Sequence, residues 1–165
     1  MKQSPALKLL HEMATNKARQ KYIDAGIDPN YSVAPVFKVS TANGLTKAVI
    51  KFLTLSGWQA ERISTTGRPI DKRYEYTDVL GHRKMAGSVK WIPGTIRRGS
   101  ADISSTIMGR SVKWEVKIKD KQSPDQKSYE QEIKKAGGYY FLIHNIDEFM
   151  EIYNKLIQEF KAKPW

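Results

Sequence analysis

The sequence predicts an α/β domain, a mixed β-sheet flanked by helices with a helical extension before it, and three observations carry that prediction. Residues 111–119 alternate strictly: Val112, Trp114, Val116 and Ile118 interleave with Ser111, Lys113, Glu115, Lys117 and Lys119, the period of a strand with one buried face. Two segments, near 41–57 and 145–160, carry apolar residues at helical spacing. Between them a hairpin, a capped helix and a short apolar run succeed one another, the order of a mixed sheet covered by helices. A chain of 165 residues has room for one compact core and a modest appendage.

In chain order, residues 4–24 read as a helix, with Ser4 as cap, Pro5 in the first turn and Leu9, Leu10 and Met13 at partial helical spacing. The stretch 26–35 breaks it, so residues 1–38 are taken as an extension and linker outside the core, and residues 39–165 as the main domain. From Thr41, the residues Leu45, Ala48, Val49, Phe52 and Leu53 form a helical stripe that Gly57 ends, and 58–64 reads as a strand. Residues 67–99 form a basic insertion rich in Gly, Pro and Tyr. It is compatible with a hairpin whose arms are 73–79 and 88–92, around Gly81 and Gly87, or with a mobile segment. Residues 101–107 and 111–119 then make a hairpin about Met108-Gly109-Arg110. Ser123-Pro124-Asp125-Gln126 is a capping box opening a helix that ends at Gly137-Gly138. Residues 139–144 form a short buried strand, and Asn145 or Asp147 starts a last helix with Phe149, Ile152, Tyr153, Leu156 and Phe160 on one face.

Composition excludes several functional classes. No window is apolar enough for a transmembrane helix, and the polar start of the chain does not resemble a signal peptide. Without cysteine there is no disulfide, thiolate nucleophile or zinc–thiolate site, which suits a reducing cytoplasm. His11, His82 and His144 have no ligand spacing, so a metal must be held by oxygen. The net charge of +11 predicts a polyanionic partner, nucleic acid above all. Most of the excess sits in residues 58–121, with 14 basic and 7 acidic side chains. In and near the insertion, Arg68, Lys72, Arg73, Arg83, Lys84, Arg97 and Arg98 are candidate phosphate contacts, as is Lys119 beyond it. Tyr74, Tyr76 and Trp91 lie among them, available to stack on bases or simply to pack the hairpin.

The residues able to carry chemistry lie on the central hairpin. Glu115 and Lys117 share one strand face, and Asp102 begins the partner strand. Two carboxylates meeting on a sheet make an oxygen site suited to Mg²⁺, and a lysine two residues on can hold a water and offset phosphate charge. That is the equipment for metal-assisted phosphodiester hydrolysis. A cross-strand salt bridge on a solvated face is the alternative reading of Glu-Val-Lys alone.

On these residues the chain resembles the PD-(D/E)XK nuclease superfamily, and within it the VRR-NUC domain, a branch related to Holliday-junction-resolvase folds. The resemblance spans roughly residues 41–160. It is carried by Gly99-Ser100-Ala101-Asp102-Ile103, Glu115-Val116-Lys117, Ser123-Pro124-Asp125-Gln126 and Ala136-Gly137-Gly138, and it is close to bacteriophage members at 41–50 and 60–63. It implies a restriction-endonuclease-like core and a DNA endonuclease using Mg²⁺, with Mn²⁺ able to substitute. Asp102 and Glu115 become metal ligands with the Val116 carbonyl as a third, Lys117 the catalytic lysine, and Gln126 the glutamine beside the site. It further implies a homodimer acting on branched DNA, a junction or flap, in a host cytoplasm if phage-encoded, with no membrane and no small-molecule cofactor. Two departures stand out: Ala101 replaces the proline of the motif, and residues 44–57 contain no carboxylate, leaving Asn43 as the nearest polar side chain on the first core helix. Glu61 is either a compensating ligand or a salt-bridge partner, and a capping role accounts for Gln126 as well as a catalytic one does. Two other functions fit the charge: a DNA-binding module with a decayed site, and a basic structural protein assembled on nucleic acid.

Overall fold

The computed structural model describes residues 4–64, 67–92, 94 and 97–163, so positions 93, 95 and 96 of the basic insertion and the last two residues of the main domain lie outside the described residues. Helix α1 (Pro5–Asp24) begins as its sequence dictates, with the Ser4 hydroxyl accepting the Leu7 N–H at 3.2 Å. Helix α2 (Ala42–Leu55) is capped by Thr41 and buries the stripe Leu45, Ala48, Val49, Phe52 and Leu53. Its Gly44 is obligatory, because a Cβ there would lie 1.7 Å from the Lys38 carbonyl oxygen.

Four strands form the central sheet in the order β1 (Gln59–Arg62), β6 (Ile103–Ile107), β7 (Arg110–Val116), β8 (Tyr139–Ile143). β1 is antiparallel to β6 and β6 to β7, whereas β7 and β8 run parallel, so the sheet is mixed as expected. Helix α3 (Pro124–Lys135) makes the crossover from β7 to β8, and helix α4 (Ile146–Ala162), capped by Asn145, follows β8. The β6–β7 connection is tighter than the expected Met108-Gly109-Arg110. Arg110 already pairs with Ile107, leaving a two-residue turn with Met108 at φ 48° and Gly109 at φ 78°. Two positive φ values mark the turn whose twist matches a hairpin.

One sheet face is the core. Ile103, Ile107, Val112, Trp114, Val116 and Ile143 pack there with the apolar faces of α2 and α4. Ser105 satisfies the Trp114 indole N–H at 2.9 Å and donates its own hydroxyl to the Val112 carbonyl, so a polar residue enters the core fully bonded. The helix read as an extension also belongs to this core: Ala6 and Leu10 are part of it, and α1 packs on α2 and α4. Its buried stripe is Ala6, Leu10, Ala14, four residues apart and with a single large side chain, whereas Leu9 is exposed. Small residues let the helix approach closely while giving a weak hydrophobic period, which is why the sequence understates its packing.

The opposite sheet face is met by α3. Tyr129 of α3 makes an edge contact with Tyr140 of β8, and Gln126 reaches β7. The basic insertion is a long two-stranded arm. β2 (Arg68–Asp71) pairs with β5 (Val89–Ile92), and β3 (Tyr74–Thr77) pairs with β4 (Arg83–Ala86) in the same register. The Lys72 N–H donates to the Ser88 carbonyl between the two pairs, and Asp78 closes the tip by accepting the N–H groups of Leu80 and His82. The hairpin thus begins earlier than the expected arms and its turn is at 78–82. Among the described residues its strands pack on one another and on no other helix or strand.

Candidate active site

Strand alternation decides which side chains share the α3 face. The β6–β7 register pairs Ile103 with Trp114 and Ser104 with Lys113, and one step further sets Asp102 opposite Glu115. Asp102 is held at the strand entrance by its backbone and its side chain: its carbonyl accepts the Ile63 N–H at 2.9 Å, and its Oδ2 accepts the Val116 N–H at 2.9 Å. Lys117, just past β7, stays in register because its N–H donates to the Ile143 carbonyl at 3.0 Å.

Glu115 is 1% exposed, a carboxylate as buried as the tryptophan beside it in sequence. Three donors hold it. Lys117 Nζ lies 3.1 Å from Oε1, the Gln126 side-chain amide donates to the same oxygen, and the Tyr140 hydroxyl approaches Oε2 at 3.4 Å. Burial pushes the Glu115 carboxyl above the usual carboxylate range, the negative charge of Asp102 pushes it the same way, and Lys117 and Tyr140 oppose both. Burial likewise raises the Tyr140 phenol, with Glu115 adding to it, so Tyr140 remains a donor. Lys117 is the more exposed member of the pair, its side chain 15% exposed against 1% for Glu115.

Gln126 contacts both the helix cap and Glu115. Its Oε1 accepts the Ser123 N–H at 2.9 Å, completing the capping box, while its amide nitrogen reaches Glu115. Gly99 fixes the approach to this helix end: at φ 79°, with a Cβ position 2.5 Å from the Asp125 carbonyl, it admits no side chain and holds the segment before Asp102 against α3.

Asp102, Glu115, Val116, Lys117 and Gln126 are therefore brought together. The other candidates are not part of this cluster. Asn43 accepts a hydrogen bond from Arg62, and Glu61 shares its face with Ser104 and Lys113, where its charge opposes the lowering of the half-buried Lys113 by desolvation. Arg97, at the approach to Asp102, is paired through both terminal nitrogens with Glu132 of α3. Arg98 and Lys119 have no ion-pair partner among the described residues. On the arm, Arg73 is bound to Asp71, Arg83 lies 4.0 Å from Glu75 and Lys84 lies 2.8 Å from Asp78, whereas Arg68 and Lys72 are unpaired among the described residues. No group of three or more histidine, aspartate or glutamate side chains gathers to hold a metal among the described residues, so the oxygen donors here are two carboxylates.

Tyr140 is the site residue that the sequence did not single out. Its place depends on the parallel register that sets it beside Lys113, and a run of five apolar and aromatic residues gives no sign of which member turns toward Glu115. Compared with known proteins, the chain matches no family model, no curated protein and no solved structure.

Proposed function

We propose that this chain is a Mg²⁺-dependent DNA endonuclease with a restriction-endonuclease-like core, hydrolysing phosphodiester bonds in branched DNA and acting as a homodimer. One observation carries the reading: Asp102 and Glu115 oppose each other across two strands, with Lys117 and Gln126 on the same carboxylate. An ion pair serving only stability has no need of a second carboxylate whose charge disfavours the first.

The donor set fits a hard dication. Both ligands are carboxylate oxygens, and a positive ion between them relieves the repulsion that raises Glu115. Asp102 and Glu115 would hold Mg²⁺ or Mn²⁺, with the Val116 carbonyl as a third donor, and the ion would supply Lewis-acid polarisation of the phosphate and of a bound water. The protein's own share is positioning and charge. The Val116 N–H orients Asp102, and Gln126 and Tyr140 fix Glu115. The Lys117 ammonium, more exposed than the carboxylate it pairs with, donates to a non-bridging phosphate oxygen or to the attacking water and offsets the charge that develops on phosphorus.

A four-way junction, a flap and a linear duplex incubated with purified protein and Mg²⁺ or Mn²⁺ test this directly. Cutting that needs the metal and disappears in Glu115→Gln and Asp102→Asn is the expected result. A Glu115→Gln protein that cuts at the wild-type rate overturns it. The absence of a third carboxylate among the described residues favours a second reading, a DNA-binding module without catalysis. Tight binding to all three substrates with no cutting under either metal would select that one.

A further inference from the structure

The two faces of the arm differ in chemistry. In both strand pairs the partner register is the same, and side chains alternate within each pair; residues 72–73 and 87–88 join the pairs outside the strands, with Gly87 at φ 88°. One face of the first pair carries Arg68 and Lys90, with Lys72 at the join, and one face of the second carries Lys84 with Tyr74 and Tyr76; Asp78 at the tip is bound to Lys84. The other face carries Asp71 and Glu75, and they are matched by Arg73 and Arg83 on that same face. Arg73 and Arg83 thus share their charge with acidic neighbours. Arg68, Lys72 and Lys90 are cations without an ion-pair partner among the described residues.

We infer that the arm is a DNA-gripping ribbon that lays its Arg68, Lys72, Lys90, Tyr74 and Tyr76 face along the nucleic acid and turns its ion-paired face away. Three features argue for it. Cations of one sign on strands that pack against no other helix or strand among the described residues are a net attraction for phosphate. Tyr74 and Tyr76 are 62% and 44% exposed with ring centroids 6.3 Å apart, and exposed rings between cations suit bases in a way that an acidic peptide or a lipid headgroup does not require. The two strand pairs, 68–71 with 89–92 and 74–77 with 83–86, together extend about 30 Å at most at the rise of a β-strand, close to one turn of duplex, and a two-stranded ribbon fits a major groove. In the chain the arm lies between β1 and β6, the strand that Asp102 precedes, so it belongs to the same connection that leads to the carboxylates.

This inference rests on DNA as the partner but not on catalysis, so its test is binding in EDTA, where cutting is absent. Two double variants remove the same charge from opposite faces: Lys72→Ala with Lys90→Ala, and Arg73→Ala with Arg83→Ala. Fluorescence anisotropy on a labelled duplex and a labelled flap, across a salt series, should show affinity about tenfold or more weaker for the lysine double. Its log–log salt slope should be shallower by about 2, one counterion-release increment per lost contact. The arginine double should change affinity less than about threefold on the same scale. Thermal melting of both should match the parent, because none of the four side chains is in the core. Equal weakening by the two doubles, or undiminished binding by the lysine double, overturns the inference. A protein that binds in this way yet cuts nothing would keep the arm and remove only the nuclease.

Discussion

The two faces of the central sheet bury side chains equally well and to opposite effect. Trp114 and Glu115 are neighbours on β7, exposed to 0% and 1% respectively, and they point to opposite sides. Behind Trp114 lie Phe149, its ring centroid 5.0 Å away, and the rest of the apolar core. Behind Glu115 lie an amide, an ammonium and a phenol. The first face gains free energy from the exclusion of water. The second gives some up, because a carboxylate is kept from water beside another carboxylate, and three donors recover only part of that loss. Stability in this fold is made on one side of the sheet and used on the other.

Substitutions on the two faces should therefore move stability in opposite directions. The largest effect belongs to Trp114→Ala, expected to cost about 3–5 kcal/mol in urea denaturation; a loss below about 1 kcal/mol would mean the core face collapses around the cavity. Glu115→Gln comes next and has the opposite sign. A carboxyl whose folded value is raised contributes stability below the ordinary carboxylate range and loses it as pH rises through the raised value. In metal-free buffer the wild-type urea midpoint should fall across that interval, and Glu115→Gln should flatten the fall and be the more stable protein above it. An unchanged slope would show that Glu115 is not the group responsible.

Gln126 sharpens the contrast, since it serves helix and site together. Gln126→Ala should lose about 1 kcal/mol with its half of the capping box. Gln126→Glu keeps an acceptor for the Ser123 N–H but brings no donor to Glu115, so it should retain helix stability and lose cleavage. Equal activity in Gln126→Glu and the parent would leave capping as its whole role. The smallest effect is expected at Lys113, on the polar face with its ammonium depressed by burial. Lys113→Met should gain about 0.5 kcal/mol, read from the same denaturation curves; a loss instead would show that its bond to Ser104 outweighs the cost of desolvation.

What was legible in the sequence follows the same division. The period-2 run at 111–119, the stripe Leu45 to Leu53 and the capping box at Ser123 are local signals, and each produced its element, although the strand ends at Val116, three residues short of its run. The cluster of Asp102, Glu115, Lys117 and Gln126 was legible too, because a hairpin and the helix after it are close in sequence. Long-range partners were not. Tyr140 enters through a parallel pairing, Leu10 through packing of α1 against two distant helices, and the ion pairs of the arm through a register that only folding fixes. A one-residue slip in any of these would turn the side chains to the other face.

The double engagement of Gln126 also gives the site a clock. Its oxygen closes the Ser123 N–H and its nitrogen grips Glu115, so fraying of the first turn of α3 removes one of the three donors on the carboxylate in the same event. Proton exchange at the Ser123 amide is thus a readout of how often Gln126 lets go of the buried carboxylate, measurable with no substrate present.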